Sequence, residues 1–279
     1  KMPVAVDSGI LTVTSKNLGF KDLSFKLSES AFFLNGKINS FKKSQFFDVN
    51  FLTTINAKDM DTYINPNLKT PVKIIGNLQA KGYFKGNKTD WAVFGQSTLK
   101  PGDDVIFQHE TGLNLDKKRL FDFNIFKNAS RIDINKLIVS YLPDAGTPEN
   151  SGAPQEILLD IKGVIKDINT KSPEFENVTF KASNNLPASI FNPLFISSDN
   201  YKLFSKGTLN GEGSINGKLN TPKILGNLLL QDVEMPSASL TVNKGGIDFT
   251  PDKINLKDTE VSIDGTSVMI NAVLDNILE

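Results

Sequence analysis

The chain has 279 residues, 39% of them hydrophobic and 22% charged, a composition able to bury a core. Its 31 basic residues balance 31 acidic ones, which removes the broad positive footprint that binds nucleic-acid backbones, and no nucleic-acid partner is expected. Cysteine is absent, excluding disulfide frameworks, thiolate nucleophiles and cysteine metal sites.

Twenty Phe stand against four Tyr and one Trp. Phe offers apolar area without a polar handle, so the balance argues for core filling and against a wet, sugar-binding surface. No run approaches the roughly 20 apolar residues of a membrane-spanning helix, and the first residue is Lys1. The expectation is a portion of a longer protein.

In chain order, period-two alternation begins early. Leu23, Phe25 and Leu27 alternate with Ser24, Lys26 and Ser28, which predicts a half-buried strand. Phe32, Leu34, Gly36 and Ile38 fall on one face of the next, and Val49, Phe51, Thr53 and Ile55 on one face of a third. Residues 57–64 read as a short helix with Asp59 placed to cap it. Phe121, Phe123 and Ile125 form another strand face, and residues 134–141 read as a second short helix.

Residues 144–154, DAGTPENSGAP, are small, polar and rich in Pro and Gly. They predict a flexible linker between an N-terminal β-module, 1–143, and a C-terminal one, 155–279. Residues 186–204 read as a third helical stretch, interrupted by Pro187 and Pro193. Leu209, Gly211, Gly213, Ile215, Gly217 and Leu219 alternate again, followed by Leu228 and Leu230, then by Val268, Ile270, Ala272 and Leu274. Reversals are expected at 35–36, 85–87, 101–104, 244–246 and 250–252, where Gly, Pro, Asn and Asp make turns easy.

Two short phrases recur. NGKIN at 35–39 returns as NGKLN at 216–220, and TPVKIIGNL at 70–78 returns as TPKILGNL at 221–228. The offsets differ, 181 residues from Asn35 to Asn216 and 151 from Thr70 to Thr221. A β-helix or propeller would hold its period, whereas an antiparallel meander accepts a hairpin anywhere.

Catalytic chemistry finds little footing. His109 is the one histidine and lacks a second imidazole four residues on, so the helical zinc pattern is missing. Asp103, Asp104, Asp122, Asp133 and Asp160 fall in turns or on polar strand faces, the ordinary place for solvated charge. Gly207, Gly211, Gly213 and Gly217 miss the spacing of phosphate-binding loops and read as sites of curvature or close backbone approach. No catalytic residue, metal ligand or cofactor is expected.

The fold class expected is mainly β: a long antiparallel meander of roughly 18–22 strands, curled into an open groove, with a few short helices. At about 4.8 Å per strand such a sheet would run on the order of 90 to 100 Å. Its apolar face fits either a closed core or a lipid-lined groove. The shortage of covering helices favours the groove. Candidate groove residues are Leu23, Phe25, Leu27, Phe32, Leu34, Ile38, Val49, Phe51 and Ile55 in the first module. Leu209, Ile215, Leu219, Leu228, Leu230, Val268 and Ile270 complete the set in the second.

The spacing of Gly207, Leu209, Gly211, Gly213, Ile215, Gly217, Leu219 and Pro222, continued by Gly226, Leu228 and Leu230, resembles the C-terminal part of AsmA-like proteins and the related TamB group. Residues 246–249 and 265–270 fit the same template, and the Asp-containing stretches 55–64 and 131–137 look like that family's short turns after a strand. The resemblance covers most of 9–277. It implies a non-enzymatic periplasmic protein tethered to the inner membrane through a segment outside this chain, with a β-groove for phospholipid movement towards the outer membrane and an architecture related to bridge-like lipid transfer proteins. Phospholipid or another acyl-chain lipid is the partner so implied. A scaffold that recruits partners by β-augmentation is the rival expectation.

Overall fold

A computed structural model describes residues 4–40, 44–64, 66, 72–107, 118–141, 156–170, 172–188, 205–219, 221–236 and 239–275. His109, the stretch 144–154 and most of the third helical stretch, 189–204, lie outside the described residues. The chain forms two compact units, divided after Gln155.

Unit 1 is an antiparallel meander built from β1 (Val4–Val13), β2 (Asn17–Leu27), β3 (Ser30–Asn39), β4 (Phe46–Asn56), β6 (Asn77–Gly86), β7 (Trp91–Leu99), β9 (Arg119–Asn128) and β10 (Arg131–Tyr141), in that spatial order. Two short strands, β5 (Val72–Ile75) and β8 (Asp104–Phe107), pair with each other apart from it. Unit 2 is a second meander of β11 (Glu156–Lys166), β12 (Glu174–Pro187), β13 (Lys206–Lys218), β14 (Lys223–Met235), β15 (Leu240–Thr250), β16 (Lys253–Ile263) and β17 (Thr266–Asp275), in chain order. The fold is mainly β and antiparallel, and neither meander closes into a barrel, because its first and last strands are not paired to each other.

Among the described residues the one short α-helix, α1 (Ala57–Asp59), runs on as a π-helical turn over Met60–Ile64. Its cap is Asn56, whose side chain accepts from the Lys58 N–H, and not Asp59. The helix expected at 134–141 is strand β10. A bulge between Ile134 and Lys136 puts Ile134 and Leu137 on the same face, so an interrupted strand imitates helical three-residue spacing.

Similar bulges recur with a local signature. In Phe20-Lys21-Asp22-Leu23, Phe175-Glu176-Asn177-Val178, Leu230-Gln231-Asp232-Val233 and Leu256-Lys257-Asp258-Thr259, the third residue has φ of 50°, 49°, 51° and 44°. Asp and Asn tolerate this left-handed region better than other side chains. The extra residue keeps the first and fourth positions on one face: Phe20 and Leu23 meet Gly36 and Leu34, and Phe175 and Val178 meet Gly217 and Ile215. The Asn177 N–H donates to Asn216 Oδ1 and the Asp258 N–H to Asn271 Oδ1, which satisfies donors that the bulge removes from the ladder.

Two expected reversals are absent. Gly36 and Gly245-Gly246 lie inside β3 and β15. A Cβ on Gly36 would sit 2.1 Å from the Asp48 carbonyl oxygen, so this glycine serves close strand approach rather than a turn. The repeated phrases are not structural equivalents either: Gly76, with φ 72°, kinks the chain into β6, whereas Gly226 lies within β14.

Candidate functional site

Cross-strand register assigns each strand one apolar face. In unit 1 a row across the sheet runs Leu34, Phe51, Gly82, Gly95, Phe123 and Leu137. In unit 2 the corresponding row runs Ile161, Phe180, Gly213, Gly226, Phe249 and Ile254. The repetition hinted at by the phrases is thus written across strands, as two aliphatic–Phe–Gly–Gly–Phe–aliphatic rows.

Leu23, Phe25, Leu27, Phe32, Leu34, Ile38, Val49, Phe51 and Ile55 share the apolar face of unit 1. Leu23 and Val49 are buried and the other seven half-buried. In unit 2, Leu209, Ile215, Leu228, Leu230, Val268 and Ile270 share a face. Leu219 does not join them. It lies in the turn beyond β13 and is 54% exposed, because the strand ends at Lys218 and the alternation continues past it only in sequence.

The unit 1 face carries an aromatic group that extends beyond the sequence-derived set. Phe25 stacks on Phe32 at 5.1 Å, Phe47 meets Phe84 edge-on at 5.8 Å, and Phe84 lies 6.1 Å from Trp91. Trp91, Val93 and Lys127 belong to this face, as the pairs Trp91–Lys127 and Val93–Ile125 place them. Stepping the Phe121, Phe123, Ile125 alternation by two more residues reaches Lys127.

By register, the charged side chains on the apolar face of unit 1, among the described residues, are Arg119 and Lys127, at opposite ends of β9; that of unit 2 carries none. Arg119 is fully buried and donates to the Asp103 carbonyl. Lys127 is half-buried and its Nζ donates to the Thr89 carbonyl at 2.8 Å.

Burial is graded along the strands. At the Arg119 end of unit 1, Ser30, Thr53, Leu99, Val139 and Tyr141 are all buried. The segment carrying α1 is fastened there. Asp59, 1% exposed, accepts at Oδ2 from the Glu29 N–H (2.8 Å), the Ser30 N–H (2.7 Å) and the Ser30 hydroxyl (2.8 Å). Desolvation pushes its pKa up, but hydrogen bonds from the Ser30 and Ser28 side chains and the Ser30 and Glu29 amides outweigh it and hold the carboxyl below its ordinary value. At the other end Ile38, Phe47, Trp91, Lys127 and Ile132 are all partly exposed. In unit 2 the buried cluster likewise gathers at one end, where Ala188 packs with Leu209, Val233, Val242 and Val261.

Two open depressions lie mainly on the opposite, polar faces. A depression of about 610 Å³ at the open end of unit 1 is lined by Lys85, Ala92, Phe126 and Asp133 of the opposite face together with Trp91 and Lys127. A second, about 320 Å³, sits among Asp160, Lys162, Lys181 and Glu212 on the polar face of unit 2. Both are dents beside charged groups, and the apolar rows form an open surface instead.

Among the described residues no cluster of three His, Cys, Asp or Glu side chains is arranged to hold a metal ion, and no helix is long and apolar enough to cross a membrane. No protein-family model, curated protein or solved structure matches the chain.

Proposed function

We propose that the chain is a non-enzymatic module that binds and passes phospholipid or another acyl-chain lipid along its apolar faces. The observation that carries this reading is the state of those faces: continuous cross-strand rows of Phe, Leu, Ile and Gly, half-buried rather than sealed. An acyl chain laid there gains about 25 cal/mol for each Å² of apolar surface removed from water. The attraction is non-directional, so the lipid can slide. The resemblance to AsmA-like proteins adds the setting: the periplasm, with the parent protein tethered to the inner membrane and serving lipid supply to the outer one.

Native mass spectrometry of gently purified protein, with organic extraction, tests the reading. Co-purifying phospholipid is the expected result. Lipid-free protein, under conditions where a known carrier keeps its lipid, would reject it.

A scaffold role by strand addition is the second reading, favoured by β1. This edge strand carries Asp7 as its one charge, and Val4, Val6, Leu11 and Val13 are each more than half exposed. A peptide that adds to β1 would protect its amides from hydrogen exchange.

A further inference from the structure

We propose that unit 1 holds an amphiphile in one orientation, with an anionic phosphate at Lys127 beside Trp91 and the acyl chains directed towards the Arg119 end. The proposal rests on the lipid-binding reading above and adds to it a head-group site and a polarity.

Three observations converge on this orientation. Lys127 and Arg119 are the charges on the apolar face, but Arg119 is fully buried and bonded to the Asp103 carbonyl, whereas Lys127 stands at the partly exposed end. The Lys127 ammonium bonds a carbonyl, that of Thr89, and an ammonium has three donors, so it can meet a phosphate oxygen without giving up that bond. Trp91, its direct cross-strand neighbour, lies tilted at 35° to Phe84 with ring centres 6.1 Å apart, and its indole joins an apolar body to one N–H donor, the side-chain chemistry of a polar–apolar boundary.

The opposite end is the more deeply buried one. Met60, Asp59 and Ser30 are buried there by the α1 segment, which suits chain termini and not a charged head. Carboxylates near Lys127 are engaged by other groups: Asp90 accepts from the Ala129 N–H and the Thr89 hydroxyl, and Asp133 pairs with Arg131. A carboxylate-rich rim would repel the phosphate, and these contacts moderate that repulsion.

Trp91 is the single tryptophan, so its fluorescence reports on this end alone. The protein is loaded from vesicles of phosphatidylglycerol brominated either near the glycerol or near the chain methyls. Stronger quenching by the glycerol-proximal bromines is expected; equal quenching or the reverse order overturns the orientation. Lys127→Gln, which removes the charge and keeps a polar side chain, should lower retention of phosphatidylglycerol relative to diacylglycerol of the same chains by about tenfold, with Lys127→Arg restoring it. An unchanged ratio overturns the head-group site. If inorganic phosphate alone shifts Trp91 emission as far as lipid does, the site binds free phosphate and the amphiphile assignment is wrong. Loss of lipid from every form, wild type included, would instead reject the underlying lipid-binding reading.

Discussion

The ring of Phe180 lies over Gly213, its direct partner across β12 and β13, so that a Cβ built on Gly213 would fall 2.8 Å from Phe180 Cζ and 2.6 Å from the Leu225 carbonyl oxygen. The ring can turn away, but the carbonyl belongs to a paired strand and cannot. Gly213→Ala is therefore expected to destabilise unit 2 by about 1–3 kcal/mol. Gly246→Ala, whose nearest contact is an ordinary 3.6 Å, should be close to neutral. Thermal melts of the two variants measure the difference, and equal melting would mean that the paired strand gives way at the Leu225 carbonyl.

The bulges give a sharper contrast at one residue. Asp232 sits at φ 51°, opposite Gly207 at φ 93°, where a Cβ would be 2.4 Å from Val233 Cα. Asp232→Asn and Asp232→Gly should keep wild-type stability, because both residues enter the left-handed region readily. Asp232→Val should lose about 1–2 kcal/mol for the same backbone. Tolerance of Val in chemical denaturation would show that the bulge relaxes at little cost.

Asp59 makes stability depend on pH. Its carboxyl is held below the ordinary range in the folded state, so its contribution is complete above the unfolded carboxylate pKa and is lost as pH falls through the folded value. Asp59→Asn can turn its amide oxygen to the three donors at Oδ2, but it lacks the charge and puts an NH2 group where the other oxygen stood, and should cost about 2 kcal/mol at neutral pH. The gap between variant and wild type should hold above about pH 5 and narrow in acid. A gap independent of pH would show that the charge contributes nothing.

How far the fold is legible in the sequence follows from which forces act locally. The faces of β3, β4 and β13 are readable because Phe32, Leu34 and Gly36, or Gly211, Gly213 and Ile215, alternate with a fixed period of two. The bulge at Asn135–Lys136 is not, since a shifted strand and a helix share three-residue spacing and strand pairing alone separates them. An apolar residue, a polar one and then Asp or Asn is the local sign of four others, at Asp22, Asn177, Asp232 and Asp258. The two Phe–Gly–Gly–Phe rows are set by register between strands distant in sequence, and no linear pattern contains them. Leu219 shows the converse: alternation runs on in sequence after the strand has stopped.

The apolar face can be probed at Leu228, which stands between Gly211 and Ile247 and is half-buried. In Leu228→Asp, a carboxylate beside acyl chains costs several kcal/mol unless it reaches water. A face that opens to water without lipid allows that escape. The variant should then fold with a melting point lowered by no more than about 5 °C, the shift for about 1 kcal/mol in a domain of this size, while its extracted lipid falls sharply. Were the face a sealed core, the carboxylate would have no exit and the melting point would drop far more, or expression would fail. The neighbouring control needs care. Asn227 lies on the opposite face, between Glu212 and Asp248, so Asn227→Asp would line up three carboxylates across adjacent strands and is not silent. Asn227→Ser avoids that repulsion and should leave both melting and lipid content unchanged. Lipid occupancy that alternates between 227 and 228 while stability barely moves is the result expected of an open lipid-bearing face, and wild-type lipid content in Leu228→Asp would remove Leu228 from it.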